Sequence, residues 1–408
     1  MSKQRRTIAV FTGNRAEYGL QYPILRAIAD HPDLEYRLIV SGAHLDKDFG
    51  MTLAEIEADG FHVDAEAKIE MAEDTLHATA QAIGSCILSV SGILSEMKPD
   101  ILVVYADRFE GFGAVIAGTQ MNIPTAHIEG GDLTEGGALD DSVRHAMSKL
   151  SHLHFTTNQQ ATNRILAMGE ESWRVHTVGF PAIDLIQDGI FANQDELAAR
   201  YNLDFNRPVV LFTQHSVTTE FDAATQQVIP SLMALRRLAA EGVQILLTYP
   251  NNDAGGRHII MELEKLAVEQ LPNIQLHRSL GRYNYHGILG LARNPAMRVA
   301  CVGNSSSGIK ETPAFGCPSL NIGSRQDGRL RGDNVLDVDY DQEAVYCAIK
   351  RCLFDEAWRS VCHETVNPYG IGDAGKKVAQ VLAAVSLDQR LIRKKMTLKG
   401  ESCDGWYR

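Results

Sequence analysis

Short apolar runs alternate with longer amphipathic stretches along most of the chain. "TIAVFTG", "EYRLIVSG", "DILVVYAD", "IPTAHIEG", "LHFTT" and "RVHTVG" read as buried parallel strands, each closed by turn residues. Between them lie helical stretches such as "TLHATAQAIGSCILSVSGILSEM". This alternation predicts right-handed βαβ units wound into a parallel sheet. From Asp184 to Asn206 the pattern turns polar and helix-prone, and a second series then begins: "PVVLFTQHS", "VQILLTYP", "IQLHRS", "MRVACVG" and "PSLNIG". The helix between the first two of these puts Val228, Leu232, Leu235 and Leu238 on one face, at spacings of four, three and three.

Two consecutive series predict an α/β protein with two Rossmann-like, doubly wound domains facing a cleft. At 408 residues the chain is long for a single core, which agrees. Residues 1–185 are expected to form the first domain and 186–366 the second. "NPYGIGDAGKKVAQVLAAV" has a Pro-Gly turn and then a helix, within 367–385, expected to cross back to the first domain. Residues 386–408 are mixed and polar and read as an extension or a flexible tail.

Composition narrows the partners. Lys plus Arg is 39 against 51 for Asp plus Glu, a net charge of −12, which argues against a nucleic-acid surface but not against one small anionic ligand. The seven cysteines form no Cys-x-x-Cys pair, a pattern of buried thiols in a reducing compartment without a disulfide framework or zinc site. No run reads as a signal peptide or as the roughly 18 to 20 apolar residues of a membrane span. The expectation is a soluble, cytoplasmic protein with no membrane partner.

The candidate chemistry lies in the loops that follow the strands, where open α/β sheets place it. "HIEGGDLTEGGALDDSVRH" carries Glu129, Asp132, Glu135, Asp140 and Asp141 among glycines, either for a reaction or to solvate a turn. In "FTGNRAEYGL", Arg15 and Glu17 open a helix whose N-terminus suits a phosphate or sugar hydroxyl; a plain turn with a surface arginine is the alternative. In "YADRFEGF", Asp107 and Arg108 end a strong strand; the alternative for Asp107 is a helix cap worth about 1 kcal/mol. Asp107, Glu129 and Asp140 end two successive strands, and convergence on one pocket would shift their pKa values by burial and mutual repulsion. His215 in "FTQHSVTTE" closes the first strand of the second domain, in a catalytic or a structural role. In "CVGNSSSGIKETPAFGCP" a strand ends at Gly303, hydroxyl residues follow, and Glu311 lies one turn into a helix. Backbone N–H groups and serines there suit a diphosphate, and the glutamate a ribose; a serine-rich cap explains one serine but not three.

Together these stretches resemble the hydrolysing UDP-N-acetylglucosamine 2-epimerases, a family that includes bacterial sialic-acid enzymes and the epimerase half of the animal bifunctional epimerase/kinase. The matching motifs are "GNRAEYGL", "SGAHLDKDFG", "DRFE", "HIEGG", "DDSVRH", "QHSVTTE", "YPNNDAG", "GNSSSGIKE", "GSRQDGR" and "NPYG", in order from about Thr7 to Ala384. "DDSVRH" resembles the hydrolysing branch rather than the non-hydrolysing one. The resemblance implies glycosyltransferase-B architecture, with the nucleotide held mainly by the second domain. It places Asp107, Glu129 and Asp140 at the positions of catalytic acids, with Arg144 and His215 in the site. It places Arg15, Ser305, Ser306 and Glu311 at UDP positions, with Asn251 and Arg325 beside them, and Glu17 and Arg108 are further expected contacts to the UDP-sugar. Leu280 or Tyr285 would pack on uracil.

The reaction implied is loss of UDP from C1 with removal of the C2 proton, giving a 2-acetamidoglucal. Water then adds at C1 and a proton returns to C2 from the other face. No metal or cofactor is expected, since arginine and helix-terminal N–H groups carry the diphosphate charge. A homo-oligomer, dimer or tetramer, is the expected assembly. The substrate expected is UDP-N-acetylglucosamine, giving N-acetylmannosamine for sialic-acid-type synthesis; the alternative is the 2,4-diacetamido-2,4,6-trideoxy sugar of the legionaminic acid route. A UDP-sugar glycosyltransferase is the rival class, and a non-catalytic sensor would leave the acids without a role.

Overall fold

The computed structural model describes residues 5–45, 53–69, 76–133, 139–250 and 255–398, the side chains of residues 15, 16, 43, 76 and 218 excepted. The chain divides into two compact units. One comprises Met1–Asp132, Leu139–Leu185 and Tyr369–Arg408; the other comprises Leu133–Ala138 and Ile186–Pro368.

The first unit is built on β1 (Arg6–Thr12), β2 (Leu34–Ser41), β3 (Val63–Ala67), β4 (Ile101–Tyr105), β5 (Thr125–Ile128), β6 (Leu153–Thr156) and β7 (Val175–Thr177). These form a 7-stranded sheet in the order β3-β2-β1-β4-β5-β6-β7, with parallel neighbours throughout. The second unit holds β8 (Val209–Thr213), β9 (Gln244–Thr248), β10 (Ile274–His277), β11 (Val299–Gly303), β12 (Ser319–Ile322) and β13 (Val335–Val338). Its 6-stranded parallel sheet runs β10-β9-β8-β11-β12-β13. Both orders start at a central strand, step twice to one side and then continue on the other, the doubly wound arrangement expected. The switch points fall between β1 and β4 and between β8 and β11, where crevices open at the strands' carboxyl ends.

Central strands such as β4 and β8 are buried along their whole length, which is why their apolar runs read so plainly. β3 ("VDAEA") and β13 ("VLDV") escape that reading because they are edge strands, half-exposed and carrying carboxylates. In the helix Ala224–Ala240, Val228, Leu232, Leu235 and Leu238 are all buried against the second sheet. The helix Ala374–Ala384 lies in the first unit, packed on the helix Arg15–Ala29. Gly375 is so close to Pro23 that a Cβ there would stand 2.5 Å from its carbonyl oxygen. Asp184 accepts from the amides of Ala374 and Gly375 at 3.0 and 2.8 Å, a carboxylate at the helix's positive end.

One expectation needs correction. Within the helix Leu76–Met97, the stretch His77–Met97 is long and apolar enough to cross a membrane. Its glycines, serines and alanines hide this from a search for strongly apolar runs. Ala78, Ala82, Cys86, Val90 and Leu94 bury one face of it, and Gly113 of the helix Phe109–Gln120 leaves no room for a Cβ against Cys86, at 2.8 Å. It is a sheet-covering helix of the first unit.

Buried histidines are a marked feature of that unit. His44, His127, His152 and His154 are all buried. Burial, ahead of any other cause, lowers their pKa from the ordinary 6.5 to about 3 for His127 and about 4 for the other three. The unfolded chain therefore binds protons below pH 6.5 that the folded unit refuses. Their contribution to stability is whole above 6.5 and is lost as pH falls through about 4. Glu17 and Glu110, with carboxyl pKa values raised mainly by burial, oppose this. Histidine-selective NMR tests the assignment: the four rings should keep neutral-imidazole shifts down to about pH 5. Half-titration near pH 6 would show that water reaches them.

Candidate active site

In the first unit the site grows from the ends of β4 and β5. Two non-glycine residues there have left-handed backbone, Ala106 (φ 52°) and Glu129 (φ 64°). Such conformations cost about 1–3 kcal/mol each and persist only where the surroundings impose them. Here Ala106 donates to Ile128 O and Glu129 to Phe155 O, both at 2.9 Å, so each strand keeps its ladder while turning sharply. Asp107 then meets Arg144 from the helix Leu139–Leu150 in a direct ion pair, with the guanidinium 3% exposed and the carboxylate 16%. The same guanidinium donates to Asp141 at 3.1 Å.

The acids of the glycine-rich stretch thus separate by task. Glu129 is buried beside the Tyr105 phenol, whose pKa is raised first by burial and next by the Glu129 charge. Asp132 is structural: it accepts from Thr157 at 3.0 Å and from Asn158 at 2.9 Å, and Asn158 in turn caps the helix Gln159–Ala167. Glu135 lies outside the described residues. Asp140 is exposed in the first helical turn while its neighbour Asp141 is buried, because successive helical side chains point about 100° apart. Asp107 is therefore held by an arginine rather than pressed by other carboxylates. Asp141 is one of the acids of that stretch but not one the resemblance places in the site, and nothing in "DD" tells which aspartate turns inward.

His127, also absent from the candidates, ties these segments together. Its Nε2 donates to Ala106 O at 2.6 Å, since a carbonyl only accepts, and Nδ1 therefore accepts from the Ser148 hydroxyl at 2.9 Å. One neutral ring thereby links the residue before Asp107, the strand before Glu129 and the helix that carries Arg144. A Cβ on Gly130 would come within 2.7 Å of Ser148 Oγ and 2.9 Å of His127 Nδ1, so that glycine is a packing requirement. Nearby, Glu17 is buried, accepts from Gln21 at 2.7 Å and has its pKa raised well above the ordinary value by burial and then by Glu110. Arg108 is half-exposed, with Nε 3.6 Å from Glu110. The Arg15 side chain lies outside the described residues.

In the second unit the ends of β8 and β11 are fused by their backbones. Gly303 has φ 128°, and a Cβ there would sit 1.9 Å from Thr213 O. Asn304 donates its N–H to Thr213 O at 3.1 Å; its side chain accepts from His215 N at 2.6 Å and donates to His215 O at 2.9 Å. Asn304 O accepts from Arg325 at 3.2 Å and Gln326 at 2.7 Å. His215, Arg325 and the Ser305–Ser306 loop are thus brought together around an asparagine that composition gave no reason to single out. Glu311, 8% exposed, accepts from His286 Nε2 at 2.8 Å and from the Ser307 hydroxyl at 3.3 Å. Leu280 is buried in the core, and Tyr285 is half-buried with its hydroxyl 3.6 Å from Cys301 Sγ. Asn251 lies outside the described residues.

Polar groups gather at the switch points of two Rossmann-ordered parallel sheets, and the whole is a two-unit α/β protein. The chain belongs to the UDP-N-acetylglucosamine 2-epimerase family, whose model matches residues 26–383. It is 33% identical to the UDP-N,N'-diacetylbacillosamine 2-epimerase (hydrolyzing) of Legionella pneumophila, over 95% of this chain and 98% of that protein. It is also 33% identical to the UDP-N-acetylglucosamine 2-epimerase of Neisseria meningitidis, over 84% of this chain and 86% of that protein. Among solved structures, the UDP-GlcNAc 2-epimerase from Neisseria meningitidis bound to UDP-GlcNAc gives a TM-score of 0.77 at 19% identity, covering 92% of this chain and 99% of that one. A glycosyltransferase from Rickettsia africae gives 0.56 at 12% identity, covering 93% and 98%. Both structural likenesses are of fold.

The linking histidine can be tested directly. His127→Ala leaves Ala106 O and the Ser148 hydroxyl without their partner inside the unit and opens a cavity. We expect a loss of stability of about 2–4 kcal/mol in chemical denaturation. A variant within about 0.5 kcal/mol of wild type would show that the three segments hold their places without it.

Proposed function

We propose that the protein is a hydrolysing 2-epimerase that converts UDP-N-acetylglucosamine and water to UDP and N-acetylmannosamine. The observation that carries this reading is the buried arginine holding Asp107 at the end of β4, with Glu129 ending the neighbouring strand. The ion pair fixes the orientation of the carboxylate, and a fixed orientation is what positioned acid–base catalysis at C2 requires. Asp107, Glu129 and the exposed Asp140 are the proposed acids and bases, with Arg144 and His215 in the site and Asp141 orienting Arg144. Positioned acid–base catalysis supplies about 10² to 10⁴-fold. Preorganised donors on the departing diphosphate supply much of the rest, from the Ser305–Ser306 loop and from Arg15, Asn251 and Arg325. Glu311 is assigned to the ribose hydroxyls, Glu17 and Arg108 to the sugar, and Leu280 or Tyr285 to the uracil. The reaction so drawn needs no cofactor. A cytoplasmic homo-oligomer making N-acetylmannosamine for a sialic-acid-type sugar fits this reading, and the 27% identity to the polysialic acid biosynthesis protein P7 of Escherichia coli supports it.

A second substrate has its own support. The Legionella relative named for diacetylbacillosamine aligns over 95% of this chain, against 84% for the Neisseria relative named for N-acetylglucosamine. Parallel assays of the two UDP-sugars, without acceptor, decide between them and against a glycosyltransferase. Release of UDP with the 2-epimeric free sugar supports the reading; turnover of neither overturns it.

Two variants separate chemistry from binding. Asp107→Asn should lower kcat by at least about 10²-fold with UDP affinity nearly unchanged. Glu311→Gln should weaken UDP binding by about 1–3 kcal/mol. Near-wild-type turnover in the first would return Asp107 to a structural role.

A further inference from the structure

Residues 386–398, mixed and polar in sequence, are docked along the first unit rather than trailing from it. Asp388 caps the short helix Gln389–Ile392, and Leu391 is buried in the unit's core. Arg174, fully buried, donates to Leu391 O at 2.8 Å, Arg390 O at 2.6 Å and Arg393 O at 3.4 Å, while its Nε pairs with Glu171 at 2.8 Å. Thr397 N donates to Gly169 O at 2.8 Å, and a Cβ on Gly169 would strike Met396 and Thr397, both at 2.8 Å.

The end of this strap bears on the proposed site. The Lys394 ammonium donates to Lys149 O at 2.7 Å and to Ser151 O, and it stands 2.9 Å from Glu170 Oε2. All three of its hydrogens are thereby used. Lys149 lies in the last turn of the helix Leu139–Leu150, where carbonyls have no intrahelical partner and a cation is favoured. Glu170, itself 1% exposed, also holds Lys149 Nζ at 2.6 Å and His154 at 3.1 Å, so one buried carboxylate gathers both lysines and the histidine. The first turn of the same helix carries Asp140 and Asp141, and one turn on comes Arg144.

We infer that Lys394 is a positioning residue: it fixes the carboxyl end of the helix Leu139–Leu150 and so keeps Arg144 in register with Asp107. The inference rests on the proposed role of those two residues in turnover. Lys394 acts through the helix and touches no reacting atom. Its loss therefore lowers kcat while leaving the nucleotide-binding loop of the second unit as it was.

The test uses the full chain and two readouts. In Lys394→Met, which keeps the buried stem and removes the donors, amide exchange at the end of the helix Leu139–Leu150 should quicken by about 10-fold or more, with the 303–311 loop unchanged. Turnover of the UDP-sugar should fall about 10-fold in kcat with KM within about twofold. Lys394→Arg, which can donate to the same carbonyls, should recover most of both and also serves if the methionine variant does not fold. Unchanged exchange, or quickened exchange with unchanged kcat, overturns the inference, as does an arginine variant no better than methionine. Exchange is read without substrate, so a wild type that turns over neither sugar marks failure of the functional reading, separate from failure of the anchor.

Discussion

The first unit's site depends on one buried guanidinium. Arg144 bonds Asp107 from the end of β4 and Asp141 from its own helix, so one side chain joins the two segments. Removing one partner from such a buried set typically costs about 3–5 kcal/mol, because the group left behind keeps its charge without compensation. The pairing also fixes the orientation of the Asp107 carboxylate at the end of β4.

A single long side chain aligns a strand end only if its own backbone is fixed, and the first unit fixes it from two directions. His127 joins Ser148 on the helix to Ala106 on the adjacent strand. In the same last turn, Lys394 donates to the carbonyl of Lys149 and, just past the helix, to that of Ser151. Ala106, which His127 holds, and Glu129 have left-handed backbone, a conformation unfavourable in isolation and imposed by the frame. The second unit solves a similar problem differently. A glycine that admits no side chain and an asparagine bonded to both sides of His215 join the ends of β8 and β11 through backbone and amide contacts.

Legibility in the sequence followed physical distinctness. The central strands announced themselves because both faces are buried, and the two series of strands gave the doubly wound class directly. Edge strands β3 and β13 mix carboxylates with apolar residues and resemble loops. The helix Leu76–Met97 spreads its hydropathy over glycine, serine and alanine. At the site, motif order gathered His215, Ser305, Ser306, Arg325 and Glu311 into one unit, but the inward turn of Asp141 depends on helical phase, which two adjacent aspartates do not reveal. His127 and Asn304 act through a ring tautomer and a side-chain amide bonded to backbone, contacts that exist only after folding. Lys394 lies 245 residues from one of its acceptors, and local pattern carries no trace of such a bond.

The central claim is that these carboxylates move the proton at C2 of a UDP-sugar, and solvent exchange tests it most directly. Turnover in D₂O should place one deuterium at C2 of the released sugar, and labelled water should place its oxygen at C1. Simple hydrolysis at C1 would carry the oxygen label with no deuterium and would retain the C2 configuration. A product without deuterium at C2 would leave Asp107 and Glu129 no proton to move and would contradict the account.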